Sequence, residues 1–303
     1  MSGSFVERQL AFEFTLGEGQ FGTSGANTVT LTGYRANVRI SKAGRIGLAQ
    51  AEARIYGVDI AVMNRLNTLG NQFYTQSYRF NEIAIAAGDS VRGLATVFQG
   101  IIWNCWIDFD DAPNVALVLN ASVDQFVALK PIPASSYGAP ADVATIMSNL
   151  AQQMGMPFEN NGVSVILSYP YFSGTARQQV AKAAEAANIN WSIDGSAGPL
   201  AIWPKTGYRG PSAPKYATFS PTSGMIGYPT YIPAGITFRA VFTPGQDPAI
   251  GELIQVQSSQ QPASGLWVPA KIDYTLDSVT PGGMWEMSLI CTATEGQAQQ
   301  VIQ

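Results

Sequence analysis

Three short stretches of the chain carry residue types whose spacing is associated with chemistry in other proteins. The first, from Gly17 to Gly22, reads G-E-G-Q-F-G and matches the glycine pattern of dinucleotide-binding loops. That chemistry needs a helix whose N-terminus meets a pyrophosphate, and an acidic residue about 20 residues further on. The residues after Gly22 are strand-like, and residues 41–48 contain no acid. We therefore interpret this stretch as a hairpin loop, in which glycine supplies the turn.

The second stretch places Ser212 and Lys215 at the S-x-x-K spacing of some serine acyl-transfer enzymes. In those enzymes the serine begins a helix and the lysine lies one turn later on the same face. Pro214 stands between the two residues, and the surrounding segment is rich in Pro, Gly, Ser and Thr. Because this composition is typical of a loop, we interpret the spacing as coincidental.

The third stretch holds Asp108, Asp110 and Asp111 at the end of a predicted strand. Carboxylate oxygens bind hard cations such as Ca²⁺, but the stretch lacks the further acidic and glycine positions of a calcium-binding loop. Aspartate is also common in turns, because its side chain bonds to the nearby backbone. We expect a solvated turn, and the sequence leaves open whether this turn binds an ion.

The composition excludes several classes of enzyme. The 303 residues include no histidine, so a Ser-His-Asp or Cys-His relay and a zinc site built on imidazole are both excluded. Hydrolysis by two carboxylates stays open, because such a pair is recognised by its separation in space. We predict no enzymatic activity, no catalytic, cofactor-binding or metal-binding residues, and no cofactor.

The net charge of the chain and its lack of a visible signal peptide or long apolar stretch restrict the kinds of partner that we expect. The formal net charge is −4, and 13% of residues are charged, against about 25% in an ordinary soluble domain. The chain therefore lacks the basic excess that is typical of DNA-binding proteins. No signal peptide is visible and no apolar stretch reaches 18 residues, so we expect no membrane insertion.

The tryptophans and cysteines give expectations about burial. Trp103 and Cys105 share one face of a predicted apolar alternation, which predicts that both side chains are buried. Trp106 falls on the opposite face beside Asn104 and Asp108, where an outward tryptophan indicates an interface. Exposed tryptophans also keep a glycan-binding surface open as an alternative.

Residues 1–130 are predicted to form a β-domain with one helix. Apolar and polar residues alternate with a period of two over Leu10–Leu16, Ala36–Ile40 and Ile101–Phe109. Val115–Ala121 is predicted to return beside the last of these strands, because the intervening residues have strong turn chemistry.

Two stretches of this first domain bear on helix formation. Ala49–Ile55 alternates like a strand, although its alanine content also suits a helix. The helix is predicted from Asp59, as N-cap, to about Leu69, with Gly70 as the residue after its end.

Residues 131–209 are predicted to form a small α+β domain inserted between two β-domains. Its predicted elements are two helices, Pro140–Met154 (stopped by Gly155) and about Thr175–Ala187, a short strand at Val163–Leu167, and a hairpin of Ile189–Ile193 with Leu200–Trp203. Residues 210–303 are predicted to form the second β-domain, whose strands lie at Ile236–Ala240, Ile254–Val256, Lys271–Leu276 and Met284–Thr292.

Several segments of the chain resemble the baseplate hub proteins of tailed bacteriophages. No single segment is a chemical motif, and the resemblance lies in the order and spacing of the segments over roughly residues 28–290. The segments that carry it are Leu31–Gly44, Ala53–Gly57, Met63–Gly70, Ala87–Asp89, Ala95–Gly100, Ala141–Met147, Phe158–Val163, Ile189–Asp194 and Leu200–Pro204.

This resemblance implies a structural virion protein. Such hubs join the tail tube to the central spike, and they are typically homotrimers in which two tube-like β-barrel or sandwich domains per chain give a ring with pseudo-sixfold symmetry. The implied partners are the tail tube protein, the central spike or tip protein and other baseplate proteins, with genomic DNA passing through the lumen without specific binding. The implied location is the phage tail baseplate, assembled in the host bacterial cytoplasm.

An alternative function stays open, which is a cell-wall-degrading or glycan-binding tail component. Some hub relatives carry a fused lysozyme or carbohydrate-binding module. We expect none within this chain, because the matching segments occupy most of its length. A sparse, slightly acidic charge also suits a ring that DNA must cross, since each Lys or Arg contact strengthens phosphate binding. We expect the lumen wall to be acidic for the same reason.

Overall fold

The computed structural model of the chain describes residues 6–22, 25–44, 49–68, 80–123, 132–195, 198–210, 216–233 and 235–294. Within these residues, most of the regular structure is β. The helices are α1 Ile60–Leu66, α2 Val143–Met154 and α3 Ala176–Ala186. The strands of the first part are β1 Arg8–Thr15, β2 Thr28–Thr32, β3 Ala36–Ala43, β4 Gln50–Tyr56, β5 Glu82–Asp89, β6 Gly93–Asp108 and β7 Ala116–Ser122.

The remaining strands are short in the middle of the chain and longer toward its end. The middle strands are β8 Ser135–Ser136, β9 Ala141–Asp142, β10 Phe158–Asn160, β11 Ile166–Leu167, β12 Tyr171–Phe172, β13 Ile189–Ile193 and β14 Leu200–Pro204. The later strands are β15 Ala217–Phe219, β16 Met225–Ile232, β17 Gly235–Val241, β18 Ile254–Val256, β19 Gly265–Ser278 and β20 Trp285–Ala293.

Thirteen strands form one large, mostly antiparallel sheet, which confirms that the protein is β-rich. Its main path runs β16-β17-β20-β19-β3-β4-β7-β6-β5-β1-β2, with β15 and β18 attached beside β19. The early and late parts of the chain meet where β19 pairs with β3, from Lys271 opposite Ala43 to Ser278 opposite Ala36. Strands from both ends of the sequence therefore belong to one continuous hydrogen-bonded surface.

The predicted alternation explains which face of each strand is buried. Phe12 and Phe14 of β1 are fully buried, as are Val38 of β3 and Ile55 of β4. The stretch Ala49–Ile55, which also suited a helix, falls almost entirely in β4, because its small alternating side chains pack into this core. In each of these strands, every second side chain faces the core, as the pleat of a strand requires.

Residues in the middle of the chain build a second hydrophobic core. Helices α2 and α3 pack together, and β10, β14 and β13 form a three-stranded sheet beside them. Their buried residues, Val143 to Ile202 in the chain, form a cluster separate from that of the large sheet. Helix α2 ends at Gly155 in the left-handed conformation, as predicted, and Thr175 caps α3 through a capping box with Gln178.

Several predicted boundaries are wrong by a few residues, and each has a local cause. Helix α1 begins after its predicted cap, Asp59, but ends at Leu66. It ends early because Thr68 leaves the helix to bond with Cys105 of β6, donating to its carbonyl at 2.8 Å and accepting from its amide at 2.9 Å. The predicted end at Leu69 and Gly70 lies outside the described residues.

Other differences concern the middle and late strands. Helix α2 starts at Val143 because Ala141 and Asp142 pair with β11, and Asp142 caps the helix. The strand predicted at Val163–Leu167 is reduced to β11, because Asn160 bonds to both backbone groups of Val163 in a turn. Strand β16 was not predicted.

Candidate functional site

One face of the central sheet presents polar side chains across neighbouring strands. The register places Thr275 of β19 opposite Arg39 of β3, Arg39 opposite Glu52 of β4, and Glu52 opposite Asn120 of β7. We call this surface the polar face. In chain order it carries Asn37, Arg39, Ser41, Gln50, Glu52, Arg54, Asn104, Asp108, Asn120, Arg239, Lys271, Asp273, Thr275, Asp277, Glu286 and Ser288.

Each basic side chain on the polar face has an acidic neighbour. Three of these basic side chains form ion pairs, which are Arg54 with Asp108 at 2.6 Å, Lys271 with Asp273 at 2.7 Å, and Arg239 with Glu286 at 3.4 Å. The fourth basic residue, Arg39, lies directly opposite Glu52 in the register. Because Asp277 adds a further carboxylate, the residues described on this face carry a small acidic excess and include no group of unpaired cations that could hold a phosphate chain.

Trp103 is exposed, which corrects the prediction that it is buried. A β-bulge explains the difference, because Ile102 pairs with Ala121 while Asn104 pairs with Asn120, which leaves Trp103 as an extra residue. Ile102 and Cys105 therefore both face the core, and the Trp103 side chain is 41% exposed. It borders a groove of about 340 Å³ on the polar face.

Cys105 and Trp106, which follow Trp103 in β6, lie on the faces that the sequence predicted. Cys105 is fully buried, as predicted, and burial raises the pKa of its thiol to about 12. Trp106 is half-buried, and Val118, its partner on β7, lies opposite Arg54 of β4. Trp106 therefore lies on the polar-face side, as predicted, although part of its surface is covered.

The acidic stretch at the end of β6 forms a turn. The Asp108 carboxylate accepts a hydrogen bond from the Asp110 amide at 3.0 Å, and it also pairs with Arg54. These contacts hold the pKa of Asp108 below its ordinary value, the backbone hydrogen bond from Asp110 having the largest effect. Among the described residues, no group of three or more Cys, Asp or Glu side chains is arranged to hold a metal ion.

Of the two other candidate motifs, the glycine-rich stretch is the one that the structure describes. The glycine-rich stretch connects β1 to β2, and these strands pair antiparallel from Ala11 opposite Thr32 to Thr15 opposite Thr28. It is thus a hairpin connection, as predicted, with Gly19 and Gly22 at positive φ. The S-x-x-K stretch at Ser212 and Lys215 lies outside the described residues.

A buried arginine joins the middle part of the chain to the later strands. Arg209 is 8% exposed, and its backbone amide donates to Gly251 at 2.7 Å. Its guanidinium donates to both carboxylate oxygens of Glu159, at 3.0 and 2.7 Å, and to Asp194. We call Arg209, Glu159 and Asp194 the clamp. A two-point arginine–carboxylate contact of this kind fixes orientation as well as distance.

A second polar network joins Lys42 of β3 and Tyr274 of β19 to Asp247. The hydroxyl of Tyr274 donates to Asp247 and accepts from the Lys42 ammonium at 3.3 Å, and Lys42 also pairs with Asp247 at 3.7 Å. Burial raises the pKa of Tyr274 well above its ordinary value, and the Asp247 charge adds to the effect. Sequence reasoning missed this network and the clamp, because each joins residues that are far apart in the chain.

The family comparison decides what kind of protein carries these features. A family model described as baseplate hub gp41 matches residues 14–281. The chain belongs to the baseplate hub gp41 family. This result confirms the resemblance inferred from the ordered segments of the sequence, and it makes the protein a tail and baseplate component of the phage type.

Solved structures show the same fold at very low sequence identity. A tail protein from Neisseria meningitidis MC58 is 11% identical with a TM-score of 0.60, covering 93% of this chain and 96% of that one. The 43 kDa tail protein of prophage MuSo2 from Shewanella oneidensis is 10% identical with a TM-score of 0.56, covering 95% and 98%.

The E. coli c3393 protein is 8% identical with a TM-score of 0.57, covering 87% of this chain and 74% of that one. It is described as a component of the type VI secretion system with structural similarity to the T4 tail proteins gp27 and gp5. No curated protein sequence matches the chain significantly.

The helices of the described residues are too short or too polar to cross a bilayer.

Proposed function

We propose that this baseplate hub protein is a non-enzymatic part that joins the tail tube to the central spike, as a homotrimeric ring with a lumen for DNA. Family membership and the phage tail fold support the coarse role. The proposal of a lumen for DNA rests on the polar face. It is a wide sheet surface whose cations are matched by carboxylates, which suits a wall that DNA crosses without being held.

The arrangement of the large sheet favours a ring built from two similar β-domains per chain. We assign these domains to residues 1–130 and 210–303, with residues 131–209 as the inserted α+β domain. The pairing of β3 with β19 sets strands of the two β-domains side by side in one surface. Three such chains would supply six β-domains around the axis, as a connection to a hexameric tube requires.

The mass of the purified protein tests this proposal. Sedimentation equilibrium is expected to give three times the 32.3 kDa of one chain, and the trimer should bind both tail tube and spike protein. A monomer that binds neither would contradict the proposal. Assembly in the host cytoplasm would be supported by trimers in infected-cell extracts before mature particles appear.

A further inference from the structure

We propose that neighbouring copies of this chain meet along a seam between Trp103 of one copy and Tyr228 of β16 in the next copy. The inference rests on the proposed ring, and it assigns the surfaces that close the ring. The reasons are the placement of exposed aromatic residues, the distribution of charge and the geometry of a closed ring.

Exposed aromatic side chains border the polar face and are missing from its middle. Among the described residues of β17, β20, β19, β3, β4 and β7, no large apolar side chain is exposed. The strands at the two borders differ. Strand β6 exposes Trp103, and β16 exposes Tyr228, at 62%. Tyr231 of β16 is also exposed, but it pairs with the core residue Ile236 and so lies on the opposite side of the sheet from the polar face. Trp and Tyr are the residue types that most often anchor protein interfaces.

Both borders are strand edges at which the described part of the chain pairs no further strand. Strand β16 is the last strand of the main path, and its partner among the described strands is β17. Among the described strands, the second half of β6, after Ile101, pairs with β7, whereas β5 pairs with the first half. Asn81 accepts from the Ile102 amide, and Thr68 bonds to the Cys105 backbone, so that edge is partly covered. The seam therefore forms through side chains and not through an added strand.

Charge is depleted at the same two borders. Strand β16 reads M-I-G-Y-P-T-Y-I, and residues 102–107 of β6 read I-W-N-C-W-I, so neither contains a charged residue. The strands in the middle of the polar face carry the paired charges described above. Burying the borders would therefore leave no charge without a partner, and depletion of charge is typical of interface cores.

A bulge at each border turns its aromatic residue outward. Trp103 is the extra residue of the β6 bulge, and the pairing of β16 shifts between Ile226 and Thr230, where Tyr228 lies. Bulges are enriched at sheet edges, where they re-aim side chains. In a ring, each copy meets its neighbours through two different surfaces, so one border of a copy faces the opposite border of the next.

Cysteine cross-linking tests the seam without depending on a destabilising substitution. The two native cysteines are buried, and burial raises the pKa of both thiols, so added surface cysteines are the reactive ones. Under mild oxidation, the double variant Trp103→Cys with Tyr228→Cys is expected to give covalent dimers and trimers on a denaturing gel. Each single variant is expected to give none, because position 103 meets position 228 and not itself.

A second set of variants measures the energetic contribution of the seam. Trp103→Glu is expected to weaken the trimer by about 30-fold or more in dissociation constant, as loss of an interface anchor does. Adding Tyr228→Lys to that variant is expected to restore much of the affinity, since the new charges then face each other. Thr30→Lys on β2, the other edge of the large sheet, is the matched control and should leave the trimer intact.

The outcomes separate the seam from the ring itself. A trimeric wild type that dissociates with Trp103→Glu and cross-links only as the double variant supports the seam. A trimeric wild type that tolerates Trp103→Glu but dissociates with Thr30→Lys overturns it in favour of the β2 edge. Cross-linking by Trp103→Cys alone overturns it in favour of a two-fold contact. A wild type that never forms trimers overturns the ring, and the seam with it.

Discussion

Arg209→Met is expected to destabilise the protein by about 2–3 kcal/mol, because it removes the centre of the clamp. Methionine keeps an apolar stem of similar length but loses every hydrogen bond to Glu159 and Asp194. Breaking a buried ion pair on one side costs about 3–5 kcal/mol. The Glu159 and Asp194 side chains are about a third exposed, so water can solvate them in part, and the expected cost falls below that range.

Urea unfolding and amide hydrogen exchange measure this loss. The unfolding midpoint of Arg209→Met should fall, and amides of β10, which contains Glu159, and of β13, which ends just before Asp194, should exchange about 30-fold faster or more. The matched control is Arg92→Gln. The Arg92 side chain is exposed, and its partner Asp89 is buried but also accepts hydrogen bonds from the Val91 and Arg92 amides, which remain in the variant. The loss of the Arg92 charge should therefore cost less than about 1 kcal/mol. An Arg209→Met stability within about 0.5 kcal/mol of the wild type would refute the argument that the clamp is stabilising.

The clamp also predicts a pH dependence. The hydrogen bonds from Arg209 hold the pKa of Glu159 below its ordinary value of 4.5. A carboxylate with a lowered pKa in the folded state adds stability above its unfolded pKa, and this stability is lost as the pH falls through the folded pKa. The stability difference between wild type and Arg209→Met should therefore be full at neutral pH and shrink in acid below that ordinary value. A difference that grows in acid would contradict this assignment.

Three further results are expected. Tyr274→Phe removes a buried hydroxyl that donates to Asp247, and should cost about 1–2 kcal/mol in urea unfolding; no change would mean that the network is not stabilising. Gly251→Ala should cost about 2 kcal/mol or more, because Gly251 has φ +90° and a Cβ there would lie 2.6 Å from the Trp203 ring; a neutral result would contradict the close packing. Purified protein should release no peptidoglycan fragments, with or without Asp108→Asn; activity lost in that variant would favour a wall-degrading function.

Sequence patterns predicted the elements whose determinants are local. The alternation in β1 and β3 records which side of each strand is buried, and the cap residues Asp59 and Gly155 mark helix ends by their own backbone chemistry. The family resemblance was likewise predictable, because ordered segments survive in the sequence.

Features that depend on a partner strand were not predictable. A bulge adds one residue against β7, and this single residue changes Trp103 from buried to exposed while the alternation on either side looks regular. Strand β16 escaped notice because Gly227 and Pro229 interrupt its pattern at a shift in pairing with β17.

The clamp was not predicted from the sequence for a different reason. Arg209 lies in a segment without periodicity, and its carboxylate partners are 50 and 15 residues away. A single arginine in such a segment has no sequence signal that names its partners. The only available hint was a charged residue in a stretch otherwise rich in Gly, Pro and Ser, and that hint predicts neither burial nor pairing.

Electron cryo-microscopy of the purified protein, with subunits counted around the axis, tests the central claim most directly. We expect three copies around an open lumen, with the polar face lining the opening and Trp103 at each junction between copies. A monomer, a ring without a lumen, or a lumen lined by unpaired Lys and Arg side chains would contradict it.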